Sequence, residues 1–185
     1  DCGVFTMVRQ RAVCGLGHAI LTGEPLIGDQ PFGVVLSDDL CLNGSGPGVL
    51  AQMAALYEEF QCSIVAVQEV PMSDIEQYGV VAGAPEREGL TRVTAMVEKP
   101  PREEAPSNLA VIGRYILTPD IFDIIRNTPP GRNGEVQLTD ALQVQASQGR
   151  VLAYQFQGQR FDCGSVPGFV EATQHVYEHY YGRDQ

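Results

Sequence analysis

Apolar, β-branched runs alternate along the chain with stretches whose apolar residues recur every three or four positions, the alternation of an α/β sheet. Phe5 to Arg9 reads as a strand, and Leu16 to Thr22 as a short helix opened by Gly15 and Gly17. Pro31 to Leu36 is continuously apolar, the pattern of a strand buried on both faces of a parallel sheet, and it ends in Ser37-Asp38-Asp39. A Gly/Pro/Ser stretch from Asn43 to Gly48 predicts a turn. Val49 to Phe60 then predicts a helix with Leu50, Met53, Ala54 and Tyr57 on one face. Cys62 to Val70 and Gly79 to Ala82 read as strands. A turn from Pro85 to Gly89 joins the latter to a hairpin partner, Thr91 to Val97. Val111 to Leu117 is a further strand, ending at Thr118-Pro119-Asp120, where Thr118 is placed to cap a helix from Ile121 to Arg126. A helix from Leu138 to Gln148, a strand from Val151 to Gln157 and a closing helix from Val170 to Tyr181 complete the series. The whole reads as one domain over residues 1–185.

In open α/β sheets ligands sit beyond the carboxyl ends of the strands, and Asp38, Glu98-Lys99 and Asp162 all fall at such ends. A carboxylate there is costly unless a cation or donors meet it. Asp38 and Asp162 converging on one rim would make an oxygen-ligand site for Mg²⁺. The residues alone leave a plainer alternative, in which both aspartates cap turns. Pro100 ends the strand before it and fixes the directions of Glu98 and Lys99. Glu98 suits vicinal sugar hydroxyls and Lys99 suits a phosphate, although an exposed ion-paired strand end is equally compatible.

A net charge of -11 and a pI of about 4.6 argue against binding a nucleic-acid backbone, which needs clustered Lys and Arg. They do not argue against a nucleotide held by a metal ion and a few local cations. The five cysteines are scattered and never spaced Cys-x-x-Cys, so neither a disulfide framework nor a zinc site is expected. Reduced thiols and a cytoplasmic setting are expected instead. No apolar run reaches the length of a membrane span, and a signal peptide is not expected. The first residue is Asp1 rather than Met, close to an apolar run, so the chain is expected to be the downstream part of something longer.

Five segments occur in order: Tyr78-Gly79-Val80-Val81, Val97-Glu98-Lys99-Pro100, Ala105-Pro106-Ser107-Asn108 with Gly113-Arg114-Tyr115, Gly134-Glu135-Val136-Gln137-Leu138-Thr139-Asp140, and Phe161-Asp162-Cys163-Gly164. The series, running from Val8 to Tyr177, resembles the bacterial UTP–glucose-1-phosphate uridylyltransferases. That resemblance implies a nucleotidyltransferase-type, Rossmann-like mixed α/β sheet flanked by helices, with its N-terminal part missing. It implies UTP, glucose 1-phosphate and UDP-glucose as ligands, Mg²⁺ as cofactor, and a homo-oligomer when the chain is full length. It assigns Asp38 to the metal with Asp162 beside it, and makes Asp38 and Lys99 the catalytic pair. Glu98 would hold glucose hydroxyls, Lys99 the sugar phosphate, and the backbone of Gly79 would approach the sugar. Gln10 with Gly15-Leu16-Gly17-His18 resembles the base-recognition segment, its amide matching the imide edge of uracil, with His18 a helix-start residue and no base. Asn108 would support the sugar site, Arg114 would pair with an acidic neighbour, and Gly134 to Asp140 would cap a helix and turn Thr139 and Asp140 toward the rim.

The family's opening Gly-x-Gly-Thr-Arg loop, which cradles the triphosphate, has no match in residues 1–185. The chain alone is therefore expected to make little or no UDP-glucose. Val13-Cys14 stands where most relatives carry a Lys at the second position, and Ser165-Val166 where many carry a Lys. Two rival readings are a non-catalytic sugar-nucleotide-binding homologue or regulator, and an enzyme for another nucleotide, such as thymidylyl transfer.

Overall fold

The computed structural model describes residues 3–131 and 134–182. The helix expected after Gly15 is present as α1, Leu16–Thr22, followed by a short α2, Glu24–Ile27. The strand expected over Phe5 to Arg9 is not: residues 3–10 have no regular structure, and Phe5 is 88% exposed. An apolar run becomes a strand only where it pairs with another, and among the described residues no strand pairs with this one.

Among the described residues eight strands form two sheets. The larger has the order β1-β6-β3-β7-β5-β4, and a two-stranded sheet pairs β2 with β8. Here β1 is Phe32–Val35, β2 Asp39–Leu42, β3 Ser63–Glu69, β4 Gly79–Arg87, β5 Leu90–Glu98, β6 Leu109–Leu117, β7 Val151–Gln155 and β8 Gln159–Asp162. Only β3–β7 is parallel; the other pairs in both sheets are antiparallel. This corrects the reading of Pro31 to Leu36 as a strand inside a parallel sheet. β1 lies at an edge, antiparallel to β6, with Gly33 and Val35 exposed. β3 is the strand buried on both faces, and β6 and β7 share its period of two. Val65, Val67, Tyr115, Leu117, Val151 and Ala153 face one core, while Ile64, Ala66, Ile112, Ile116 and Leu152 face the other.

α3, Val49–Phe60, covers the second core with Val49 and Met53, and ends at Gln61 in the left-handed conformation. Ala54 is exposed, so the buried stripe is narrower than expected. The first core is covered by α4, Ile121–Asn127, and α5, Leu138–Ser147. Thr118 does not cap α4. Its hydroxyl lies 3.2 Å from Ser63 Oγ and accepts from Gln145 Nε2 at 2.9 Å, inside the fold.

The β4–β5 hairpin is longer than expected and runs through Pro85, which an edge strand tolerates because its missing N–H owes no ladder bond. At one end β4 pairs with β6 through Val80 and Val81, and at the other β5 pairs with β7 through Leu90 to Arg92. The hairpin thus arches from one side of the sheet to the other. The final helix, α6, begins at Val166, earlier than expected, because Ser165 caps it: Gly168 N–H donates to Ser165 Oγ at 3.2 Å. A cap is reason enough for a serine at position 165.

Candidate active site

Antiparallel register makes the first half of the site. Gly79 lies directly opposite Glu98, so the start of β4 and the end of β5 form one corner. A Cβ on Gly79 would stand 3.1 Å from both Glu98 Oε2 and Thr139 Oγ1. Thr139, in the first turn of α5, donates its hydroxyl to Glu98 Oε2 at 2.6 Å and so aims that carboxylate. Lys99 follows with a positive φ of 45° and donates its N–H to Tyr78 O at 3.0 Å. A residue before proline ordinarily stays extended. The left-handed turn here carries strain of the kind stored at functional positions, and it leaves the Lys99 side chain exposed at the rim.

The second half comes from the two-stranded sheet, which the sequence reading missed. β2 begins immediately after Asp38, and its register with β8 sets Asp39 opposite Asp162. The Asp38 carbonyl accepts from Cys163 N–H at 2.7 Å. Asp38 Oδ2 and Asp162 Oδ1 both face Gly164, at 3.4 and 3.1 Å from where its Cβ would sit. Asp38 is exposed and Asp39 is 8% exposed. Asp39 Oδ2 accepts from Gly113 N–H at 2.8 Å, and Oδ1 accepts from Arg160 Nε.

The two halves meet in a cleft of about 360 Å³ whose walls include Asp38, Asp39, Gly79, Glu98, Lys99 and Arg160. Tyr115 closes its floor. Burial, and then the carboxylates of Glu98, Asp39 and Asp38, push its hydroxyl well above the ordinary tyrosine range, so it stays protonated. Larger cavities of about 450 and 670 Å³ lie beside α4–α5 and beside the β2–β8 sheet, and neither gathers any of these groups.

Of the residues picked from sequence, the fold therefore unites Asp38, Gly79, Glu98 and Lys99 in one cleft, with Asp162 at its edge beside Asp38. Gln10 and Gly15 are not among the cleft walls. Gln10 Nε2 donates to Gly15 O at 3.3 Å and lies 2.8 Å from His18 Nδ1, so the amide is engaged within its own segment. Gly15 has φ +92°, and a Cβ there would meet Val136 O at 2.8 Å; Gly17 N–H donates to that same oxygen at 3.0 Å. This segment is locked onto the loop before α5. Asn108 also stands outside the cleft, its carbonyl accepting from Val70 N–H at 3.0 Å. Arg114 corrects its expectation of an acidic partner, since its guanidinium donates to the backbone carbonyls of Leu36, Gly113 and Asp39. Asp140 turns away from the rim toward the α4–α5 cavity, where burial raises its carboxyl above the usual range.

Four residues were missed or undervalued: Asp39, Tyr115, Tyr78 and Arg160. Asp39, Tyr78 and Tyr115 stand in segments already quoted but were given no role, while Arg160 left its own signal, lying two positions before Asp162 on a strand and so sharing its face.

The sequence matches the nucleotidyl transferase family over residues 4–179. It is 63% identical over 177 residues to the UTP–glucose-1-phosphate uridylyltransferase of Pseudomonas aeruginosa strain PAO1, covering 96% of this chain and 63% of that protein. A Staphylococcus epidermidis protein of the same name is 45% identical over 173 residues, covering 94% of this chain and 59% of its own. Among solved structures, a UDP-glucose pyrophosphorylase complexed with UDP-glucose superposes with a TM-score of 0.91 at 57% identity, over 94% of this chain and 66% of that one. The chain thus spans less than two thirds of the length of these relatives. A mixed sheet, a cleft at its strand ends and a match across nearly every described residue lead to one conclusion: the chain belongs to the nucleotidyl transferase family.

Proposed function

We propose that the chain supplies the sugar-phosphate side of a UTP–glucose-1-phosphate uridylyltransferase, which forms UDP-glucose and pyrophosphate from UTP and glucose 1-phosphate. The observation that carries this reading is the convergence of Asp38, Gly79, Glu98 and Lys99 on one cleft. In it, Thr139 holds one carboxylate oxygen of Glu98, and the other accepts from vicinal sugar hydroxyls. Gly79 leaves room for the ring to approach backbone. Lys99 meets the sugar phosphate as a compact point charge. An oxygen of that phosphate then attacks the α-phosphorus of UTP in line, and pyrophosphate departs. The attacking oxygen is already ionised, so the protein has no proton to abstract. What it contributes is alignment and charge neutralisation.

Asp38 and Asp162 suit a divalent cation: Asp38 Oδ2 and the Asp162 carboxylate lie around Gly164, whose N–H occupies Asp162 Oδ1 at 3.1 Å and leaves Oδ2 to a metal, and hard carboxylate oxygens are the ligands Mg²⁺ takes. Among the described residues no group of three or more His, Cys, Asp or Glu could hold a metal, so substrate phosphates and water would complete the shell. When bound, Mg²⁺ would offset the negative charge of the phosphates. The four described cysteines are free thiols, which suits a cytoplasmic enzyme; Cys2 lies outside the described residues. No helix among the described residues is long and apolar enough to cross a membrane. The exposed Phe169, Val170 and Tyr177 on the last helix offer apolar surface for a homo-oligomer of the whole enzyme.

The test is calorimetric titration of the chain with UDP-glucose and with dTDP-glucose. The expected result is binding of UDP-glucose, weaker binding of dTDP-glucose, and an affinity lowered about tenfold or more by Glu98→Gln, since a hydrogen bond to a charged group is worth roughly 1.5–3 kcal/mol. Absence of UDP-glucose binding, or indifference to Glu98→Gln, would refute the reading.

A further inference from the structure

Arg160 is part of the cleft wall and contacts Asp39, Tyr78 and Asp162. Its Nε donates to Asp39 Oδ1, its Nη1 donates to the Tyr78 hydroxyl at 3.1 Å, and its Nη2 stands 3.7 Å from Asp162 Oδ2. The guanidinium carbon also lies 5.3 Å from the centre of the Tyr78 ring, within cation–π range. The Arg160 and Asp39 side chains are 11% and 10% exposed, so this is a buried pair on the cleft wall.

Its connections run between two separate pieces of structure. Asp39 and Asp162 belong to the β2–β8 sheet that carries the carboxylate rim, while Tyr78 directly precedes Gly79 and accepts the Lys99 N–H on its carbonyl. A buried ion pair is a poor way simply to stabilise a two-stranded sheet, because apolar residues of the same volume do so without desolvating two charges. A planar fork with several fixed donors, in contrast, can hold two groups at a set separation. We propose that Arg160 is the positioning residue of this cleft, holding the carboxylate rim of Asp38 and Asp162 in register with the sugar rim of Tyr78, Gly79 and Lys99. Through Tyr78 it sets the affinity for the sugar nucleotide without touching it. The inference rests on the proposal that the cleft binds UDP-glucose.

Equilibrium dialysis with UDP-glucose, without added metal, compares the chain with Arg160→Lys, Tyr78→Phe and the double variant, with melting temperatures recorded for each. Lysine still pairs with Asp39 but cannot donate to Asp39 and Tyr78 as a fixed fork. Arg160→Lys should therefore melt close to the unaltered chain yet bind about tenfold more weakly, the usual scale for losing an orienting partner. Tyr78→Phe keeps the ring and the Asp39–Arg160 pair and should lose a similar factor. The double variant should bind no more weakly than Arg160→Lys alone, because both changes break one link. Unaltered affinity in either single variant, or losses that multiply, would overturn the inference, and Tyr78→Phe decides alone if Arg160→Lys fails to fold. If the unaltered chain does not bind UDP-glucose, the functional reading falls as well; if it binds and the variants match it, only this inference falls.

Discussion

Glu98 shows how little of a site residue's behaviour lies in its own identity. Its carboxylate is aimed by Thr139, forty-one positions away in sequence, and given room by the missing side chain of Gly79 across the strand pair. Gly79→Ala would put a methyl 3.1 Å from both oxygens of that contact. We expect Gly79→Ala to leave the melting temperature nearly unchanged while weakening UDP-glucose about tenfold, the cost of one charge-assisted hydrogen bond. Dialysis beside a melting curve reads both, and an unweakened Gly79→Ala would mean that the corner has slack. The Glu-Lys-Pro segment was legible as a rim because Pro100 ends a strand. The left-handed φ of Lys99 was not, since the ordinary rule for a residue before proline predicts extended backbone.

At the scale of elements, α1 and the loop before α5 behave as a single unit. Gly17 N–H donates to Val136 O at 3.0 Å, and Val136 N–H donates to Cys14 O at 2.8 Å. Helix propensity alone favours Gly17→Ala by roughly 1 kcal/mol. The contact opposes it, because the new Cβ would lie 2.8 Å from the Val136 carbonyl oxygen. Overpacking against backbone costs about 1–3 kcal/mol, so Gly17→Ala should destabilise, lowering the urea midpoint; a raised midpoint would show that the helix can shift away. Helices α1 and α3 and the strands β3, β5 and β6 were readable within a few residues because their apolar periods are unbroken. β2 and β8 were not, being only four residues each, β8 with three of its four polar. The run Phe5 to Arg9 misled for the opposite reason: it has a strand's composition but pairs with no strand among the described residues.

For the whole molecule, acid sensitivity has an identifiable contributor at the end of the sheet where α4 begins. Burial raises the Asp120 carboxyl, but hydrogen bonds from Arg150, Thr118 and Gln145 outweigh it and hold the group below the usual carboxylate range. A depressed folded value contributes stability above the unfolded pKa of about 3.9 and loses it as pH falls through the folded value. Asp120→Asn should therefore be less stable than the unaltered chain at pH 7, with a smaller gap at an acid pH below about 3.9. Urea midpoints at the two values measure this, and a gap independent of pH would assign the loss to packing. The sequence by itself determined the α/β class, most of the elements, the acidic surface, and which strand ends present Asp38, Glu98, Lys99 and Asp162, because local periodicity and strand-ending residues encode those things. Only the tertiary structure decided that Gly79 faces Glu98, that a second small sheet brings Asp38 and Asp162 to the same glycine, Gly164, and that Arg160 spans the two rims. Those pairings depend on register and on contacts far apart in the chain, where no local pattern reaches.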